Sequence, residues 1–368
     1  MADDIINKTS SIPAVPFGSA MAYGENQDQL VNEVNSALTN YSSLDKLIGR
    51  SPRRVMYDNH MNHASFMTNV FKLNDYELMC RVIVWVYHTY HHQGFSYDYF
   101  PFALKEWKKA IEKHLGSSNA EPLIKVYDWI IENHELFIEA SLKAERPPLL
   151  VDQKWLELKE SFLSSLLTGG HRKSIELATS NIHNASDLTE FYLQVIQPSM
   201  YEIGLMWENG EISVAREHLA SAIVTRVMAA LYPKFAIIEQ TKGDAVVTAA
   251  PNEFHEIGPR MVADLLEIDG WNVDYLGANT PPQDLLDLMK ESRPLFVAIS
   301  VGMPFNIDKT IEMVKMIKDE KLFKDTRIML GGNSLKMSSK ARQAIGVDGI
   351  GDTARDAVLL GSEWWHNG

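Results

Sequence analysis

The sequence predicts a mixed fold: an all-α N-terminal domain, a four-helix bundle, then an α/β domain with a doubly wound parallel sheet. Three observations predict it. Apolar residues recur at helical spacing as far as about Ile238. The period changes after Lys242-Gly243-Asp244. Beyond that point short apolar runs alternate with helix-length segments, the pattern of strand–crossover–strand units. A chain of 368 residues, 45% hydrophobic and 23% charged, has room for two or three such domains and too much apolar content for disorder.

Residues 1–25 are small and polar with Pro13 and Pro16, and read as a flexible tail. Residues 26–148 read as a helical, aromatic-rich domain, closed by Pro147-Pro148. Residues 150–240 read as the bundle. Trp155, Leu158, Phe162, Leu163 and Leu166 line one helical face, and Gly169-Gly170 ends that helix. Asp187 would cap a long helix through Leu205, and another would run from Ser213 to Ile238. Residues 243–362 form the last domain. Its expected strands are 245–250, 272–276, 295–300, 327–330 and a weak one near Gly349-Ile350. Segments 256–269, 281–291, 306–319 and 353–361 have helical period. Ligands on such sheets sit at the carboxyl ends of the strands.

Charge and cysteine content exclude several classes. The net charge is −13, and the first 150 residues carry 14 basic against 18 acidic side chains. No basic face for nucleic acid is therefore expected. One cysteine, Cys80, excludes a disulfide framework and a thiolate zinc cluster. It falls within a helix and reads as a core residue. No apolar run reaches the ~18 residues that a membrane span needs. The start of the chain lacks a charged-then-apolar layout, so a cytoplasmic protein is expected.

The last domain carries the chemistry. After its first strand stands Asn252-Glu253-Phe254-His255-Glu256-Ile257-Gly258. Forty-one residues separate Gly258 from Ser300-Val301-Gly302, and twenty-eight separate Gly302 from Gly331-Gly332. All three follow expected strands, so all three can face one cleft. A flavodoxin-like domain with a stray loop histidine is the plainer reading. The arrangement resembles the Rossmann-like cobalamin-binding domain of methionine synthase, the mutases and corrinoid proteins. Their pattern is Asp-x-His-x-x-Gly, then Ser-x-Leu or Ser-x-Thr, then Gly-Gly. The resemblance implies that His255 ligates the cobalt of cobalamin, a borderline metal suited to imidazole. Glu253 would hold the second ring nitrogen. Gly258 would let a helix start beside the ligand. Ser300, Gly302, Gly331 and Gly332 would line the slot for the nucleotide tail. Two positions depart from the pattern: Glu253 replaces Asp, and Gly302 replaces Leu or Thr.

The bundle adds a second resemblance. Trp207, nine intervening residues, then Glu217-His218 is similar to the Trp-x9-Glu-His signature of CarH-type adenosylcobalamin photoreceptors. It implies that Trp207 covers an upper 5′-deoxyadenosyl group and that Glu217 and His218 contact it. Those photoreceptors carry a histidine after the tryptophan, where this chain has Glu208. Ordinary core packing of Trp207, with Glu217 and His218 on a solvated face, is the competing reading.

The N-terminal domain holds seven of the twelve histidines and the run Trp85–Pro101. Gly94 would end one helix and Pro101 open another. A packing or dimerisation domain is one reading. A metal site through His88 and His92 is another, without an acidic or thiolate partner at matching spacing. The third is a pocket for a flat conjugated ligand. The layout resembles the photocobilins, which implies biliverdin as a second chromophore. Arg53, Arg54 and Arg81 would meet its propionates, and His88, His91, His92, Tyr97 and Tyr99 its pyrroles.

The resulting expectation is a regulatory, non-enzymatic adenosylcobalamin photoreceptor with biliverdin. Light-dependent homo-oligomerisation would be its output, and it would contact neither nucleic acid nor membrane directly. The alternative is a corrinoid methyl-carrier protein of a methyltransferase system. A cobalamin sensor without photochemistry is a third reading.

Overall fold

A computed structural model describes residues 2–144, 146, 149–235 and 239–367. The expected break at Pro147-Pro148 and the expected helix end at Ile238 lie outside the described residues. Chain contacts divide the molecule into two compact units. One comprises 1–146, 208–210 and 337–344; the other comprises 147–207, 211–336 and 345–368.

The first unit is helical: α1 (Ala2–Lys8), α2 (Phe17–Glu25), α3 (Gln27–Thr39), α4 (Leu44–Ile48), α5 (Arg53–Leu73), α6 (Tyr76–His92), α7 (Tyr99–Glu132) and α8 (His134–Leu142). Residues 1–25 are not a tail. Ile5, Val15, Ala20 and Tyr23 are buried. Asn74 holds the connecting strand, accepting from Val15 N at 2.7 Å and donating to Val15 O at 3.1 Å. Composition misleads here because the anchors are few and their partners lie 59 residues away. α6 begins with Asp75 accepting from Leu78 N, and Gly94 takes a φ of 98° after its end. α7 is kinked at Gly116 (φ 68°). Cys80 is buried, which pushes its thiol pKa up to about 12.

The second unit begins with the bundle. Its elements are α9 (Gln153–Leu167), α10 (His171–Asn181), α11 (Ala185–Phe191), a π-helical turn (Tyr192–Ile196), α12 (Gln197–Glu208) and α13 (Val214–Phe235). Asp187 is not the cap of α11. Asn184 is, accepting from Asp187 N at 2.9 Å, while Asp187 reaches back to His183 N. The helix from there to Glu208 is broken by the π turn, where Tyr192 leaves the α register.

The sheet follows: β1 (Asp244–Ala249), α14 (Ile257–Ile268), β2 (Asn272–Gly277), α15 (Pro282–Ser292), β3 (Phe296–Ser300), α16 (Ile307–Asp319), β4 (Arg327–Gly331), α17 (Asn333–Met337), α18 (Ser339–Ile345), β5 (Gly349–Gly351) and α19 (Ala354–Asn367). All described strands are parallel, in the order β2-β1-β3-β4-β5. Chain order reverses between β1 and β3, so the loops after these two strands flank the switch point where such sheets bind ligands. Val246, Val297, Ile299, Ile328 and Leu330 fill one face of the sheet, and Val247, Ala298 and Met329 the other. Met261 and Leu265 of α14 join the bundle core of Phe162, Phe191, Tyr192 and Val227, so bundle and sheet share a hydrophobic interior. No described helix is long and apolar enough to cross a membrane.

Candidate functional site

The loop after β1 is organised around one carboxylate. Glu253 is 1% exposed. Its Oε1 accepts from His255 Nδ1 at 2.5 Å and from His255 N at 3.3 Å. Its Oε2 accepts from Gly302 N and Met303 N, both at 2.8 Å, and from Asn306 Nδ2 at 3.2 Å. Burial acts to raise the Glu253 pKa, but hydrogen bonds from His255, Met303 and Asn306 outweigh it and hold the carboxyl below its usual range. An ionised carboxylate only accepts, so the imidazole proton sits on Nδ1 and the lone pair on Nε2. The Glu253 hydrogen bond also raises the His255 pKa; burial opposes it, and the Glu217 carboxylate adds to it. The His255 side chain is 70% exposed.

Three asparagines knit the strand-end loops together. Asn252, at φ 62°, donates its backbone N–H to Asn279 Oδ1 at 2.7 Å. Asn279 N donates to Glu253 O at 2.9 Å. Asn306, fully buried, donates to Asn252 O at 3.1 Å and accepts from Asn252 Nδ2 at 3.2 Å. Sequence reasoning missed all three. Their partners lie 26 to 54 residues away, and their only local signal was an asparagine in a loop that follows a strand.

The glycines divide by role. A Cβ on Gly258 would meet nothing within 4 Å, which leaves open space at the start of α14. Gly332 is required by the backbone itself. It has φ 110°, and a Cβ there would stand 2.2 Å from Val301 O. A Cβ on Gly331 would meet Gly351 O at 3.2 Å. The pair therefore seals β4 against its neighbours, a structural reason beside the slot expected for a nucleotide tail. Ser300 ends β3 opposite Gly331, half-buried, its hydroxyl without a hydrogen-bond partner among the described residues.

On the bundle side, Trp207 lies half-buried near the end of α12, and Glu217 and His218 lie in the first turn and a half of α13. Glu217 accepts from Ser221 Oγ at 2.9 Å and from His218 Nδ1 at 2.6 Å. His218 is 75% exposed. Glu208 forms an ion pair with Arg146 at 3.0 Å.

The expected chromophore residues of the first unit are only partly gathered. His88 and His92 rings are 4.3 Å apart, and His91 stacks on Tyr97 at 4.1 Å. Tyr99 sits elsewhere, in a set with the buried His60, Trp107 and Tyr127 and the partly buried His63. The arginines are not turned to the histidines: Arg53 pairs with Asp45, Arg54 with Asp58 and Arg81 with Glu77. No cluster of three metal-ligating side chains occurs among the described residues, so the His88–His92 metal reading lacks its third ligand.

The residues at the β1 and β3 ends fit a metal-centred cofactor that would take an imidazole nitrogen as ligand. His255 presents an oriented lone pair, Phe254 beside it is 68% exposed, and Gly258 leaves room. Comparison with known proteins agrees. Residues 158–232 and 243–359 match two family models, each described as a B12 binding domain, so the chain carries B12-binding domains over both stretches. It is 21% identical to dimethylamine corrinoid protein 1 of Methanosarcina mazei, over 55% of this chain and 93% of that one. It is 25% identical to trimethylamine corrinoid protein 1 of Methanosarcina acetivorans, over 50% and 85%. The solved monomethylamine corrinoid protein of Methanosarcina barkeri superposes with a TM-score of 0.51 at 20% identity, over 57% of this chain and 99% of that one, and shares the fold.

Proposed function

We propose that this chain, with its two B12-binding domains, is a corrinoid protein that carries an alkyl group on cobalamin for a separate methyltransferase. The observation that carries it is the Glu253–His255 pair: one ring nitrogen fixed on a buried carboxylate, the other open. When bound, the corrinoid supplies a cobalt centre able to take up and release an alkyl group. The chain's own residues then have definite tasks. His255 Nε2 would ligate the lower face. Glu253 keeps the imidazole in the ligating tautomer and raises its basicity. Asn252, Asn279 and Asn306 hold the loops of β1, β2 and β3 in one arrangement. Ser300, with an unengaged hydroxyl, would bond the displaced nucleotide tail, and Gly302, Gly331 and Gly332 keep side chains out of its path. The names of the methylamine corrinoid relatives support methyl as the cargo.

A second reading is light sensing through adenosylcobalamin, with Co–C photolysis changing oligomeric assembly. The bundle favours it. Trp207 stands one residue before the end of α12, and Glu217 accepts hydrogen bonds from Ser221 and His218, as a ribose-binding carboxylate would from hydroxyls. This reading extends to biliverdin in the N-terminal unit, where only His88, His91, His92 and Tyr97 share a face.

One experiment separates the two. The purified protein is titrated in the dark with methylcobalamin, adenosylcobalamin and biliverdin, and absorbance and mass are followed before and after green and red light. The carrier reading expects methylcobalamin to be retained at least as well as adenosylcobalamin, with no change of mass in light and little effect of Trp207→Ala. Tight adenosylcobalamin binding that Trp207→Ala weakens, with a light-driven change of mass, overturns it in favour of the sensor. A retained, red-shifted biliverdin band would add the second chromophore.

A further inference from the structure

The two positions at which this chain departs from the cobalamin-binding pattern touch each other. An ideal Cβ on Gly302 would stand 3.3 Å from Glu253 Oε2 and 3.5 Å from its Cδ and Oε1. All three nearest atoms belong to that one carboxylate. The same Oε2 takes the N–H groups of Gly302 and Met303 at 2.8 Å. We propose that Glu253 and Gly302 are a matched pair of positioning residues that ties the His255 imidazole to the loop after β3. The longer arm of glutamate carries the carboxylate across the β1 loop onto two backbone amides. The missing side chain at 302 gives it the space. Each change bears on the other: a side chain at 302 would press on the carboxylate at 3.3 Å and shift it against the amides, and an acid at 253 one methylene shorter would have less reach from His255 to both amides. Asn306 closes the same carboxylate from α16's end of the loop. The imidazole thus takes its orientation, through the carboxylate, from main-chain donors, which do not rotate, and from the Asn306 amide. The functional side of this pairing rests on the cobalamin reading; the structural side does not.

The test is a double-mutant cycle on the full chain: wild type, E253D, G302A and E253D/G302A. Two readouts are taken, thermal unfolding without cobalamin and titration with hydroxocobalamin, whose absorption spectrum reports imidazole ligation. Each single variant is expected to weaken hydroxocobalamin binding about tenfold and to lower the imidazole-ligated fraction. In the E253D background the alanine at 302 fills vacated space, so its added effect should fall below about threefold and part of the ligated fraction should return. E253Q, which keeps the reach, should remain fully sensitive to G302A, and it serves if E253D does not fold. Additive effects of the two substitutions in both readouts overturn the pairing. Failure of all four proteins to bind hydroxocobalamin overturns the cobalamin reading instead, while coupling in thermal unfolding still decides the pair.

Discussion

His60 and His63 of the helical unit and His255 of the sheet unit live under opposite rules. In the helical unit His60 is 3% exposed and has both ring nitrogens engaged, Nδ1 on Asn35 Oδ1 at 2.5 Å and Nε2 with the Tyr99 hydroxyl at 2.8 Å. His63 meets the Tyr127 hydroxyl at 3.0 Å, which in turn meets that of Tyr23 at 2.9 Å. Burial lowers the pKa of His60 to about 4 and, aided by His60, that of His63 to about 3. In the sheet unit His255 has one nitrogen on a carboxylate and the rest of its ring exposed, and its pKa is raised. The difference teaches that density of histidine is a poor marker of chemistry. What sets His255 apart is that the group holding its ring is a buried carboxylate, itself fixed by two backbone amides, while the rest of the ring is open.

The largest expected effect comes from breaking the buried side of that comparison with acid. His60 and His63 are neutral when folded and charged when unfolded below about pH 6.5, so their contribution is full above that pH and is lost as pH falls toward their folded values. By pH 5 the loss for His60 is on the order of 2 kcal/mol, with more from His63. Hydrogen exchange should show α5 and α7 opening between pH 6.5 and 5. A His60→Gln, His63→Gln double variant should flatten that dependence; an unchanged profile in the double variant would assign the acid sensitivity elsewhere.

Breaking the open side comes next. His255→Ala should weaken hydroxocobalamin at least about 100-fold and remove the imidazole-ligated spectrum, because ligand loss exceeds the ~10- to 100-fold of a supporting residue. Thermal unfolding without cobalamin should move little, since the ring is largely exposed. His60→Gln should do the reverse and leave the cobalamin spectrum alone. If both variants changed the spectrum equally, the contrast between the two histidine sets would fail.

The legibility of these regions differed for the same physical reason. β1, β3 and β4 were readable because buried parallel strands are continuous apolar runs, as in Ala245–Ala250 and Leu295–Ser300, whereas β2 is not buried and β5 is only Gly-Ile-Gly. Glu253 and His255 were readable as a pair because their bond is local. Asn306, which shares that carboxylate, was not, since its partner is 53 residues away. In the helical unit the run 85–101 stood out by composition, yet Tyr87 is spent stacking on Phe100 at 3.8 Å and His91 on Tyr97. The buried His60 and the partly buried His63 went unremarked because a helix carrying polar residues on an inward face looks like a solvated one. The π turn was invisible, since nothing local marks it and the acid that Tyr192 meets lies 72 residues on.

That acid supplies the smallest effect and inverts the first. Asp264 of α14 is 5% exposed and accepts from the Tyr192 hydroxyl at 2.6 Å. Burial raises its pKa to about 6, the Tyr192 bond and Arg260 act against that, and Glu267 adds to it. Glu267 is itself raised by burial, with Tyr232 of α13 as its partner. An acid raised in the fold stabilises below its unfolded pKa near 3.8, and that stabilisation is lost as pH climbs through about 6. Between those values the joint of bundle and sheet should tighten on acidification, by on the order of 2 kcal/mol, while the helical unit loosens. Asp264→Asn keeps an acceptor for Tyr192 and removes the charge. It should therefore raise the stability of this unit at pH 7 and abolish its gain between pH 6 and 4, as read by exchange in α14 and the π turn. A variant that is less stable than wild type at pH 7 would mean that the ionised carboxylate is held there at a profit, and the two units would no longer differ in sign.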